Sequence, residues 1–134
     1  MSLDIQQRER EEVVILDLNG RIRVGEEAGI LRVKLRELAA AGHRNFILNL
    51  QEVDYIDSTG LGAMVVCFTF LGRLGGKLKL ENLNRRNVEL LVLTKLTTVF
   101  ELFNDEQDAV NSFFPDREIK RFDILSFVRE QAGE

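Results

Sequence analysis

Two short runs in this chain, Val13-Val14-Ile15-Leu16 and Phe46-Ile47-Leu48, are apolar at consecutive positions. Successive side chains of a strand point to opposite faces, so a strand with apolar residues on both faces must be buried on both sides. The segment from Glu12 to Leu18 therefore reads as a covered strand, and Phe46 to Leu50 as a central one. Between them Leu31, Leu35 and Leu38 recur at helical spacing, and Gly42 is placed to end that helix. Thr59 to Gly75 reads as a second helix and Lys77 to Glu81 as a strand with one wet face. Arg85 to Leu96 reads as a helix, Thr97 to Phe103 as a last strand, and Asp105 to Phe113 as a short helix. Strands first, then helix and strand in turn, predict an α/β sheet with helices packed against it.

At 134 residues, with 45% hydrophobic and 30% charged residues, the chain is one domain of ordinary globular balance. Its core needs neither disulfides nor metals. One cysteine, Cys67, excludes an internal disulfide framework and fits a reducing compartment. A formal net charge of −4 argues against nucleic acid or an anionic membrane as the main partner. No apolar run reaches the length of a membrane span, and Met1-Ser2-Leu3-Asp4 does not open a signal peptide. A cytoplasmic protein is expected.

Enzyme motifs are sparse. His43 is the only histidine, so a serine triad or a Cys–His pair would have to use it. It falls at a helix end, where a capping or solvated histidine is the common case. One His and one Cys exclude a His/Cys zinc site. Cys67, mid-helix in Val65-Val66-Cys67-Phe68, reads as a small buried hydrophobe. Gly72-Arg73-Leu74-Gly75-Gly76-Lys77 superficially resembles a phosphate loop, but Leu71 stands where its first glycine should be and Leu78 where Ser or Thr is required.

One segment carries chemistry. Val53-Asp54-Tyr55-Ile56-Asp57-Ser58-Thr59-Gly60-Leu61-Gly62 follows the central strand and opens a helix. Asp57, Ser58 and Thr59 are helix-start residues, and Gly60 and Gly62 remove side chains from the first turn. Free N–H groups and the helix dipole there favour an anion. A dinucleotide loop would need a third glycine at Val65. Two readings remain: a phosphate carried covalently on Ser58 or Thr59, or an ordinary N-cap with glycines for tight packing.

Asp57-Ser58-Thr59-Gly60-Leu61-Gly62 resembles the signature of STAS domains, in particular the free-standing anti-sigma-factor antagonists. Leu18-Asn19-Gly20 is similar to the family's second strand and glycine turn, and Asn45 to Leu50 to its central strand. Val53 to Ile56 is similar to the approach to its site, and Gly75 to Leu83 to its fourth strand and following turn. The similarity spans about residues 4–112. It implies a STAS fold, with a mixed sheet of four or five strands and helices mainly on one face. Residues 1–113 would form the domain and 114–134 a C-terminal helical extension.

The resemblance further implies partner switching without enzymatic activity. An unmodified antagonist binds an anti-sigma factor that is also a serine kinase, and so frees a sigma factor for transcription. The kinase phosphorylates the serine after the signature Asp, here Ser58, with Thr59 a secondary candidate. A phosphatase restores binding. Asp57, Gly60 and Gly62 would shape the site, and no cofactor or metal is needed. A STAS subunit of a signalling or lipid-transport complex, working without phosphorylation, is the alternative.

Where the family often has acids after the second strand, this chain has Gly20-Arg21-Ile22-Arg23. Arg21 and Arg23 either meet a different kinase, pair with the phosphate, or are solvated loop residues. The signature helix is apolar nearly all round, and a partner is expected near its start, where Leu61 and Met64 flank Ser58. In the extension, Asp116 is expected to cap a helix after Pro115. Its stripe would be Ile119, Phe122, Leu125 and Val128, widened by Ile124 and Phe127, docking on its own domain or on a second copy as a homodimer.

Overall fold

The computed structural model describes residues 3–120 and 122–131. Five strands form one sheet in the order β1-β2-β3-β4-β5: Leu3–Arg10, Val13–Ile22, Asn45–Ile56, Lys77–Glu81 and Leu102–Phe103. β1 is antiparallel to β2 and every other pair is parallel, so the sheet is mixed. Helices α1 (Glu26–Ala40), α2 (Ser58–Arg73) and α3 (Arg85–Leu93) connect the parallel strands, as parallel pairing requires.

The strand pattern divides the core in two. Val14, Leu16 and Leu18 of β2, Phe46, Leu48 and Leu50 of β3, and Leu78 and Leu80 of β4 face α1, α2 and α3. Val13, Ile15 and Ile47 face the other way, onto α4 (Glu106–Asn111), where Ala109, Val110 and Phe103 complete a smaller cluster. Each of these β2, β3 and β4 residues is at most 1% exposed, as apolar runs on both faces require. Among the described residues the helices thus lie mainly on one face, with α4 alone on the other, as expected for the mixed sheet above.

Several elements depart from expectation. β1 was not foreseen: its Leu-Asp-Ile-Gln-Gln-Arg-Glu-Arg is mostly exposed on an edge strand. The turn that joins it to β2 uses Glu11 and Glu12, both at positive φ (51° and 71°), in place of the Asn-Gly that usually marks such a hairpin. Gly20 lies within β2, which runs on to Ile22. α3 ends at Leu93, and the expected long last strand is a 3-10 turn over Leu96–Thr98 followed by the two residues of β5.

The wet face expected for β4 is covered. Lys79 and Glu81 are 5% and 0% exposed because α4 lies over them. Lys79 donates to the Ser112 carbonyl and hydroxyl (3.1 and 2.9 Å) at the end of α4, and its ammonium stands 4.5 Å from the Phe113 ring centroid. On the same face Arg8 bridges Asp17 (2.6 Å) to Glu106 (2.5 Å), and Arg10 also reaches Glu106 (2.7 Å), so α4 is clamped to the hairpin edge. Both carboxyl oxygens of Glu81 are buried without a hydrogen-bond donor. Burial first, and then the neighbouring Glu106 carboxylate, push the Glu81 pKa far upward, whereas Arg8 holds Glu106 well below the usual carboxylate range. A neutral Glu81 has the proton that Glu106 can accept.

The extension forms a helix later than expected. α5 spans Ile124–Gln131 and is started by Asp123, whose side chain accepts from the Ser126 N–H (3.2 Å) and hydroxyl (2.8 Å), not by Asp116. Phe122, Ile124, Phe127 and Val128 pack against the main core, with α5 against α3, while Leu125 is 69% exposed and Ile119 36%. The stripe that docks thus omits Leu125, because a helix that starts at Ile124 turns that residue outward.

Candidate functional site

β3 ends at Ile56 and α2 begins at Ser58, leaving Asp57 as the N-cap in extended backbone. Asp57 Oδ1 accepts from the Gly60 N–H at 2.7 Å, and Oδ2 from the Val24 N–H at 2.9 Å. One carboxylate therefore ties the start of α2 to the loop after β2. The Asp57 N–H donates back to the Ile22 carbonyl at 3.1 Å. The amides of Gly60 and then Val24 hold the Asp57 carboxyl below its ordinary pKa, since they bond only to the charged form in this way.

The two glycines of the signature differ in what they do. A Cβ on Gly60 would stand 2.0 Å from the Ile22 oxygen and 2.7 Å from its carbonyl carbon, so the first turn of α2 rests directly on the β2 backbone. A Cβ on Gly62 would meet nothing within 4 Å. Gly60 is a condition of the site's geometry; Gly62 leaves the exposed flank beside Ser58 and Thr59 low. Both hydroxyl residues are exposed on the first turn, where backbone N–H groups lack partners within the helix.

Leu61 and Met64 do not form a surface. They are 5% and 0% exposed and belong to the main core, because α2 is covered by the sheet on one stripe and by α1 along much of the other. The exposed apolar side chains near Ser58 are Val24 (68%), joined through its amide to Asp57, and Leu93 (80%), which lines a concavity together with Ser58.

Arginines surround Tyr55 beside this turn. Arg23 is held by Glu27 through Nε (3.0 Å) and Nη2 (2.9 Å), and its own N–H donates to the same carboxylate. That hydrogen bonding lowers the Glu27 pKa and raises that of Arg23. Arg21 lies 3.6 Å from Asp54, both well exposed. A third arginine, Arg86 of α3, sets its guanidinium 4.6 Å from the Tyr55 ring centroid. Sequence reasoning missed Arg86, since nothing in its spacing from the signature marks it; only the return of the chain through β4 brings α3 beside β3. There the buried Asn87 donates to the Val53 carbonyl at 3.0 Å and so pins the first turn of α3.

The remaining chemistry-bearing residues lie elsewhere. His43 is half-buried just after α1, its N–H donating to the Leu38 carbonyl as Gly42 turns the chain at positive φ. Cys67 is buried on α2, and burial pushes its thiol up to about 11, so it is not a reactive thiolate. Among the described residues no group of three or more His, Cys, Asp and Glu is arranged to hold a metal ion. No helix among them is long and apolar enough to cross a membrane.

A capped turn laid on the second strand at the mouth of a helix, in a mixed sheet of this order, defines the class. The STAS domain family model matches residues 4–109, and the chain belongs to the STAS domain family. It is 35% identical over 110 residues to the anti-sigma-B factor antagonist of Bacillus subtilis (strain 168), an alignment covering 82% of this chain and 99% of that one. Among solved structures, a candidate anti-sigma factor antagonist from Thermotoga maritima superposes with a TM-score of 0.76 at 24% identity, over 81% of this chain and 92% of the other. The Bacillus cell fate determinant SpoIIAA in its phosphorylated form superposes with a TM-score of 0.64 at 19% identity, over 82% and 99%. These superpositions concern the fold.

Proposed function

We propose that this protein is an anti-sigma-factor antagonist, a protein-binding switch controlled by phosphorylation on Ser58. In the unmodified form it binds an anti-sigma factor that is also a serine kinase, and so frees a sigma factor. Phosphorylation ends that binding and a phosphatase restores it. It works in the cytoplasm, as a binding partner and not as a catalyst. The observation that carries the reading is an exposed serine at the first position of an Asp57-capped helix, in a chain 35% identical to an anti-sigma-B factor antagonist over almost that protein's whole length.

The chemistry of the turn supports it. A phosphate adds about −1.5 to −2 charges at neutral pH. On the first turn of α2 that charge meets free N–H groups and the positive end of the helix dipole, so the fold tolerates it. A partner covering Val24 and Leu93 would have to desolvate the new dianion at its edge, which commonly costs about 2–5 kcal/mol in an interface. The test is incubation with ATP and the candidate anti-sigma kinase of the same genome, followed by mass spectrometry and a binding titration. Phosphate on Ser58 with loss of binding is expected. Tight binding that phosphate on Ser58 leaves unchanged would overturn the reading.

A further inference from the structure

We propose that Arg86 is the group that receives the phosphate on Ser58, a role that Arg21 and Arg23 do not fill. The inference rests on Ser58 being the phosphorylated residue. Arg86 is the arginine that lines both concavities at this face: the one shared by Ser58 and Asp57, and the neighbouring one shared by Arg21, Arg23 and Tyr55. Its competitors are engaged. Arg23 is held on two sides by Glu27, and Arg21 stands beside Asp54. The adjacent Arg85 pairs with Glu89 at 3.1 Å. Among the described residues Arg86 makes no ion pair, and its guanidinium lies over the face of Tyr55.

The base of Arg86 is fixed while its end is free. Asn84 caps α3 by accepting from the Asn87 N–H at 2.8 Å, and the buried Asn87 donates to the Val53 carbonyl of β3. The long side chain above this anchored turn is exposed and shares a concavity with Ser58, so an anion there competes with the Tyr55 ring for its guanidinium. A guanidinium bonds a phosphate with two parallel, charge-assisted hydrogen bonds, which are stronger than its contact with a ring at an exposed site. Phosphorylation would then change two things on this face: it adds the dianion, and it draws Arg86 off Tyr55, so that the aromatic face and the cation are both lost to a partner that reads them together.

The test needs no partner. Phosphoserine is installed at position 58 of the full chain during translation, and its second ionisation is followed by 31P NMR. The charged and titrating groups around it are Asp57 on its own turn, Tyr55 from β3 and Arg86 and Glu89 from α3, with Asp54 of β3, Arg21 at the end of β2 and Arg23 just after it in the neighbouring concavity. A free phosphoserine has its second pKa at about 6. A cation bound to the dianion lowers it, so Arg86→Gln is expected to raise the midpoint by about half a pH unit relative to the otherwise unaltered phosphorylated chain. Arg21→Gln and Arg23→Gln should leave it where it was, and Arg86→Lys should keep part of the lowering. An Arg86→Gln chain, folded by its amide spectrum, that titrates like the parent would overturn the inference, as would a larger shift from Arg21→Gln. Because the phosphate is supplied genetically, this outcome is separate from whether a kinase modifies Ser58 or a partner reads it.

Discussion

Substituting alanine at two positions of one helix turn should change stability in opposite directions. At Gly60 the new methyl would lie 2.0 Å from the Ile22 oxygen, against an ordinary contact near about 3.5 Å. The Cβ position is fixed by the helix backbone and it meets a backbone carbonyl, so no rotamer change relieves it. The helix start must lift from β2, which strains the Asp57 N–H bond to Ile22 (3.1 Å) and the Asp57 bond to Val24 (2.9 Å). Overpacking costs about 1–3 kcal/mol, and a backbone clash belongs at the upper end. Alanine returns about 1 kcal/mol of helix propensity, leaving a net loss of about 2 kcal/mol. For a domain of this size that lowers Tm by about 8 °C. Gly62→Ala meets open space and keeps the propensity gain, so its Tm should rise by about 2–4 °C. Thermal and urea denaturation followed by far-UV circular dichroism measure both. A Gly60→Ala chain that melts with wild type would refute the close approach as the determinant of this turn.

Two further stability predictions concern the α4-covered face of the sheet and the C-terminal helix. Glu81 has a folded pKa raised above its unfolded value, so its contribution is greatest below about pH 4.5 and is lost as pH rises toward the folded value, by up to about 1.4 kcal/mol per pH unit. Glu81→Gln keeps a donor for Glu106 and should flatten that alkaline loss; urea midpoints at pH 6 and pH 9 check it, and an unchanged pH slope would contradict a neutral Glu81. Truncation after Phe114 removes the half-buried Phe122, Ile124, Phe127 and Val128 and should cost about 1–3 kcal/mol once the entropy regained by the freed segment is counted. An unaltered Tm would show that α5 does not stabilise the domain.

How far the molecule was legible in its sequence can be followed residue by residue. β3 was readable because Phe46, Ile47 and Leu48 are apolar on both faces, and only a covered central strand accommodates that. A helix start over Asp57, Ser58 and Thr59 was readable because capping is local, but not which of the three caps: Asp57 does, through the Gly60 N–H, and α2 begins at Ser58, one residue before the expected Thr59. What failed were features decided by distant chain. Glu11 and Glu12 give no turn signal, so β1 was invisible until β2 paired with it. Lys79 and Glu81 alternate like a wet strand face, and only α4, from much later in the chain, buries them. Leu61 and Met64 are apolar beside Ser58, but local sequence could not say which stripe of α2 faces inward. Arg86 reaches the site through β4 and the anchored turn of α3, a route no local pattern encodes.

The central claim is that Ser58 carries a charge read by a partner without a change of fold. Its most direct measurement is a paired titration of Ser58→Asp and Ser58→Ala against the anti-sigma kinase, with melting curves for both chains. Ser58→Asp is expected to melt like wild type while binding about 30-fold or more weakly, the affinity change that follows when an unmatched charge enters an interface. Ser58→Ala is expected to bind as wild type does and to take up no phosphate from ATP, while Thr59→Ala is still modified. Binding of Ser58→Asp at wild-type affinity, or phosphate found on Thr59 with Ser58 untouched, would contradict the claim.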